Sequence, residues 1–167
     1  AGNWNYDGQC NPFQASYIDA IIKDLENGKA PAEKTIVMDE KAKDCSLDIS
    51  SLPELIFCGD EAAVRQLVSI LLDNAVKYAV PDTVIHVSLE PLRRGVQLAV
   101  ENDYVQPIGV PLDRLFDRFY RPDASRTAAT GGFGIGLSIA KSIAEAHHGT
   151  ICASTKENRI TFKAELK

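Results

Sequence analysis

Residues 60–100 read DEAAVRQLVSILLDNAVKYAVPDTVIHVSLEPLRRGVQLAV, and the period of their apolar positions changes partway along. From Asp60, whose carboxylate can accept from the first free N–H groups of a helix, Val64, Leu67, Val68, Leu71, Leu72, Ala75 and Val76 recur at i, i+3, i+4. This predicts an amphipathic helix with one unbroken apolar stripe. The period then drops to two. Ile85, Val87, Leu89 and Val96, Leu98, Val100 alternate with polar residues on either side of the Pro91–Gly95 turn, which predicts an antiparallel strand pair. A helix and two strands that each carry one apolar face bury those faces by stacking in layers.

Upstream, Cys45, Leu47 and Ile49 alternate as a half-buried strand, and Leu55-Ile56-Phe57 reads as a short buried one. Ile18, Ile21, Ile22 and Leu25 predict a helix over 17–25 that stops at Asn27-Gly28. Residues 29–44 are charged and read as mixed helix and loop, and 1–13 as an arm without assigned role, leaving 14–167 as one domain. Downstream, Ile135, Ile139, Ala140, Ile143 and Ala144 predict a second helix ended by His147-His148-Gly149, with the glycine available as C-cap. Ile151/Ala153, a Lys156-Glu157-Asn158 turn and Ile160/Phe162/Ala164/Leu166 predict a closing hairpin. The stretch 102–133, with prolines, glycines and the basic aromatic run LFDRFYR at 115–121, reads as long and irregular, a pattern associated with function. The expected fold class is α+β: a two-layer sandwich of a mixed, mostly antiparallel sheet with helices on one face.

Composition bounds the function without locating it. The 167 residues carry 23 acidic and 18 basic side chains, net -5, which argues against an obligate nucleic-acid binder while permitting a local basic phosphate site. The four cysteines, at 10, 45, 58 and 152, lack metal-binding spacing and read as reduced thiols of a cytoplasmic protein. No apolar run reaches the roughly 20 residues of a membrane span, so no membrane contact is expected of this stretch, with anchoring of a longer parent left open.

Two patterns carry chemistry. Gly131-Gly132-Phe133-Gly134-Ile135-Gly136-Leu137 runs glycines straight into a helix, where backbone N–H groups and the helix dipole attract an anion. No Gly-Lys-Ser/Thr follows and no βαβ unit surrounds it, so neither a Walker loop nor a dinucleotide fold fits; the bland alternative is a flexible loop with close helix packing. On the first helix Asn74, Lys77 and Tyr78 follow the apolar stripe. An amide oxygen suited to a hard cation and an ammonium suited to phosphate stand three residues apart, unless this is only a solvated helix end.

These blocks resemble those of the catalytic, ATP-binding domain of bacterial sensor histidine kinases. DEAAVRQLVSILLDNAVKY (60–78) is similar to the family's N box, LFDRFYRPDASR (115–126) to its F box and the start of its lid, and GGFGIGLSIAKSIAEAHHGTI (131–151) to its second glycine box and following helix. The resemblance fades before residue 45. It implies the Bergerat (GHKL) sandwich, ATP and Mg²⁺ as cofactors, Asn74 as the metal ligand and Lys77 on phosphate. Gly132, Gly134, Ile135, Gly136 and Leu137 would shape the phosphate pocket beside Tyr78, with Arg118, Arg121 and Arg126 in or near the lid and Phe116 and Phe119 as its apolar anchors.

Two departures from the family pattern matter. Where its first glycine box places an adenine-reading Asp, this chain reads Asn102-Asp103; continuing the parity of Val96, Leu98 and Val100 turns Asn102 toward the helices and Asp103 away, so Asn102 is the expected base contact. Loss of the charge would weaken ATP binding by about 1–2 kcal/mol. Where hydrolytic relatives carry a water-activating Glu one turn before the metal-binding Asn, this chain has Ile70. The resemblance therefore implies γ-phosphoryl transfer to a histidine on a separate dimerisation domain, with a response regulator as downstream partner. His86, His147 and His148 lack the acceptor's sequence context and read as structural. The alternatives are a docking module that no longer binds nucleotide and a water-using ATPase of the same fold.

Overall fold

The computed structural model describes residues 12–13, 35–37, 45–49, 57–105, 110–121 and 134–167. The order of its elements is β1 (Pro12–Phe13), β2 (Thr35–Val37), β3 (Ser46–Asp48), β4 (Phe57–Cys58), α1 (Glu61–Tyr78), β5 (Val84–Pro91), β6 (Val96–Asp103), a 3-10 turn (Leu112–Phe116), α2 (Gly136–Ala146), β7 (Thr150–Lys156) and β8 (Arg159–Leu166). Six strands form one sheet in the order β2-β3-β5-β6-β8-β7. Only the β3–β5 pair is parallel; its neighbours are antiparallel.

The two periods of residues 60–100 appear as expected. Asp60 caps α1 by accepting from the Ala63 N–H at 3.1 Å, and Val64, Leu67, Val68, Leu71, Leu72 and Ala75 are buried. Ile85, Val87, Leu89 of β5 and Val96, Leu98, Val100 of β6 meet that stripe from the sheet side, joined by Ile160, Phe162, Ala164 and Leu166 of β8. This single core sets the sheet under the helices. Burying each large aliphatic side chain is worth about 1.5–3 kcal/mol, so the shared stripe dominates stability.

Other readings change. Within 29–44, Thr35-Ile36-Val37 is a strand, its register Thr35↔Asp48 to Val37↔Ser46; three β-branched residues suffice once β3 offers an edge. The helix over 17–25 lies outside the described residues, as do Leu55 and Ile56, and the strand after them begins at Phe57. In the arm, β1 pairs with β4, Pro12 opposite Cys58. The reduced-thiol expectation fails at Cys58, which is disulfide-bonded to a partner outside the described residues, while Cys45 and Cys152 keep their thiols. Bringing segments distant in the chain into register is a tertiary event that cysteine spacing does not reveal.

Candidate functional site

Beside Asn74 and the start of α2 lies a cavity of about 370 Å³. The α1 wall supplies Ile70, Asp73, Asn74, Lys77 and Tyr78; the sheet supplies Asn102, Tyr104, Ile160 and Phe162; Leu115, Tyr120 and Arg121 come from the segment around the 3-10 turn; Gly134 to Leu137 lead into α2. Each member is placed by ordinary folding. Asn74 and Lys77 sit one step off the buried stripe, so burying Leu71, Leu72 and Ala75 aims them at the rim.

The N-terminus of α2 is left open. Its N-cap position is Ile135, with no side chain capping the first N–H groups, while Ser138 Oγ donates to the Ile135 carbonyl at 2.7 Å. Unsatisfied N–H groups and the positive end of the helix dipole therefore border the cavity. Gly134 has φ +69, and a Cβ there would crowd the backbone of Phe119 and Tyr120 at 3.1 Å, so glycine is required at this bend. Its carbonyl accepts from the Phe119 N–H at 2.9 Å.

Asn102 is 1% exposed. Its amide Nδ2 donates to the Asp103 carbonyl at 2.9 Å, which fixes the amide's orientation and keeps Oδ1 as the acceptor this side chain has for the cavity. The same carbonyl accepts from the Val80 N–H at 3.1 Å. Asp103 points to the other face of the sheet, where Arg159 joins it at 3.3 Å and Glu101 at 2.9 Å.

Electrostatically the α1 wall is under tension. Burial pushes the Lys77 ammonium below the ordinary lysine range, the Arg121 charge pushes the same way, and Asp73 pulls it back. Burial raises the Asp73 carboxyl above its ordinary range, with Lys77 opposing. Two cations from separate elements beside an uncapped helix start form a place where an anion relieves repulsion.

Of the residues singled out in the sequence, Asn74, Lys77, Tyr78, Asn102, Arg121, Gly134, Ile135, Gly136 and Leu137 line one cavity. Arg118 does not; it is exposed outside the lining. Gly132 and Arg126 lie outside the described residues. Phe116 is buried edge-on against Phe162, ring centroids 6.2 Å apart, whereas Phe119 is 72% exposed. Sequence reading missed Asp73, Tyr104, Leu115, Tyr120, Ile160 and Phe162 as lining residues. Extending the parity of β6 by two residues, from Asn102 to Tyr104, would have found one of them.

A family model described as histidine kinase-, DNA gyrase B- and HSP90-like ATPase matches residues 59–167. The probable sensor protein PcoS of Escherichia coli is 40% identical over 113 residues, covering 68% of this chain and 24% of PcoS. The chain thus spans about a quarter of the length of the curated relatives it matches. Among solved structures, the mycobacterial sensor histidine kinase MprB is similar with a TM-score of 0.68 at 19% identity, over 95% of this chain and 99% of that one. Full-length ShkA in complex with AMPPNP is similar with a TM-score of 0.62 at 16% identity, over 95% of this chain and 32% of that one.

Proposed function

Because this chain belongs to the family of histidine kinase-, DNA gyrase B- and HSP90-like ATPases, we propose that it is the ATP-binding catalytic domain of a two-component sensor histidine kinase. It transfers the γ-phosphoryl group of ATP to a histidine on a separate dimerisation domain of the same protein. The observation that carries this reading is the cavity itself, where an amide oxygen on the sheet, Lys77 and Arg121, and an uncapped helix start face one volume.

The residues divide the nucleotide between them. Asn102 Oδ1 accepts from the adenine amino group, and Tyr104, Ile160 and Phe162 cover the base with apolar surface. Lys77, Arg121 and the N–H groups opening α2 take the phosphates. Asn74 is a hard oxygen donor suited to Mg²⁺, which when bound neutralises phosphate charge. Among the described residues no cluster of three or more His, Cys, Asp or Glu forms a metal cage, and Asn74 would hold the ion together with phosphate and water oxygens.

None of the three histidines lines this cavity. His86 faces Asp48 at 3.3 Å; His147 is buried with its ring bonded to Asp60 N and Ile143 O; His148 is exposed at the end of α2. The acceptor imidazole therefore arrives from outside, as a neutral nucleophile needing no water-activating base. That suits Ile70, an apolar residue on the wall where hydrolysis would call for a carboxylate. The response regulator is then the downstream partner and the cytoplasm, where ATP is, the compartment.

Titration calorimetry with Mg-ATP tests the reading. Saturable binding is expected, and Asn74→Ala should weaken it roughly 10- to 100-fold with an unchanged circular dichroism spectrum. Equal affinity of the two proteins removes Asn74 from the site, and no binding by the wild type leaves the docking-module alternative.

A further inference from the structure

Lys77 differs from the other described lysines in where its amine is held. Lys141, Lys156, Lys163 and Lys167 are exposed, on α2, on β7 and β8 and just after β8, whereas Lys77 lines the cavity, half-buried, near the Arg121 guanidinium. An amine becomes a nucleophile only after losing its proton, and both burial and the neighbouring cation favour that loss. The same cavity offers what an anionic head group needs, in Arg121 and the uncapped N–H groups at Ile135 to Leu137.

We propose that Lys77 Nζ is an acylation site, at which the cavity captures an acyl phosphate by its phosphoryl head and transfers the acyl group to this amine. The proposal rests on the reading that the cavity takes phosphates, and it adds a second class of compound, one that joins a phosphate to an electrophilic carbonyl. The neutral amine attacks the carbonyl carbon, and a C–N bond forms as the C–O bond to the phosphoryl oxygen breaks. Inorganic phosphate leaves with that electron pair, and the surplus N–H proton passes to water. No oxidant or reductant is involved.

The product is a neutral amide. It removes one of the cavity's cations while leaving Asp73 on the same wall, so the acylated site holds phosphates less tightly than before. Acyl donor and ATP thus compete for one volume, and acylation lowers the site's affinity for nucleotide until the amide is removed.

Incubating the chain with acetyl phosphate and following each lysine by peptide mass spectrometry tests this. Lys77 should be acetylated about fivefold or more faster than Lys141, Lys156 and Lys163. Millimolar inorganic phosphate and the substitution Arg121→Gln should each bring its rate toward theirs. Acetylation of Lys77 no faster than the exposed lysines, or insensitive to inorganic phosphate, overturns the proposal. Protection by inorganic phosphate without protection by ATP keeps the acylation site and removes the nucleotide reading. Protection by ATP of a Lys77 that reacts no faster than Lys141 does the reverse.

Discussion

Both ends of α2 meet α1, and the two meetings are built differently. At one end the start of α1 faces the finish of α2, and the polar groups there are tied. The Asp60 N–H donates to His147 Nε2 at 3.1 Å, the opposite ring nitrogen bonds the Ile143 carbonyl at 2.9 Å, and the His147 carbonyl accepts from the Lys167 N–H at 2.9 Å. Gly149 returns an N–H to the Ala144 carbonyl at 2.9 Å. At the other end, where Ile70 of α1 lies beside Gly136 of α2, no side chain caps the second helix and two cations repel one another beside open volume. One end is closed for stability, with helix dipoles of opposite sign joined by an imidazole. The other leaves its helix start without a side-chain cap and sets like charges side by side, and that asymmetry marks the ligand end without reference to any relative.

The sharpest way to break the closed end is Gly149→Ala. A Cβ at that position runs into the Glu165 carbonyl, a backbone atom of β8 that cannot move without disturbing the sheet. A loss of about 3 kcal/mol is expected in chemical denaturation. A loss under about 1 kcal/mol would mean the α2–β8 corner is loose and the contrast between the two ends overstated.

At the open end the largest effect belongs to Asn102. On the proposed reading, Asn102→Leu leaves the adenine amino group without an acceptor and should weaken ATP binding by about 1–3 kcal/mol, whereas Asn102→Asp should preserve or tighten it. Inosine triphosphate, with an oxygen in place of the amino group, should bind the wild type poorly, because that oxygen meets the Asn102 Oδ1 acceptor, and turning the amide over to donate would break its bond to the Asp103 carbonyl. Asp103→Asn should do little to ATP affinity, since that side chain meets Arg159 on the far face. Damage from Asp103→Asn together with a harmless Asn102→Leu would reverse the assignment of faces.

The same contrast explains what could be read before folding. Periodicity exposes whatever repeats, so α1 with its Asp60 cap, the β5–β6 pair and the inward turn of Asn102 were all visible in residues 60–102. Contacts between distant residues leave no such trace. His147 reads only as a helix-end residue, yet it is 6% exposed and bonds a backbone group 87 positions away. The Cys58 disulfide and the three-residue β2 exist because other segments bring partners to them. Asp73 escaped notice beside Asn74 because only the width of the cavity lets two successive helix positions share one wall.

A smaller test sharpens the closed end. The chain turns out of α2 at His148, with φ +55, so the left-handed position falls one residue before the glycine that the sequence offered as C-cap. Gly149 is instead reserved for the close approach to Glu165. His148 is exposed and its ring gains nothing visible, so His148→Gly should stabilise by about 0.5–1 kcal/mol, measurable as a raised melting temperature. An unchanged or lowered melting temperature would show the imidazole holding a contact that offsets its backbone strain.

The smallest effect bears on why the open end stays open. Asp73 is raised above its ordinary value of 3.8 by burial, only partly offset by Lys77, so the folded state holds this proton more tightly than the unfolded chain does. For a carboxyl shifted upward, stability declines as pH rises from 3.8 through the folded value, and the cost stays in place at neutral pH. Asp73→Asn should therefore stabilise at pH 7 by a fraction of a kcal/mol, the group being too exposed for more, and the advantage should vanish below pH ~3.8, where both side chains are uncharged. Denaturation of both proteins at about pH 3.5 and about pH 7 measures it. If the substitution instead destabilises at neutral pH, the attraction to Lys77 outweighs burial and the wall is a settled ion pair. If it stabilises, the chain carries a charge at a cost to its own fold, next to a lysine and an arginine that repel one another. Such an arrangement persists when a ligand supplies the missing counter-charges.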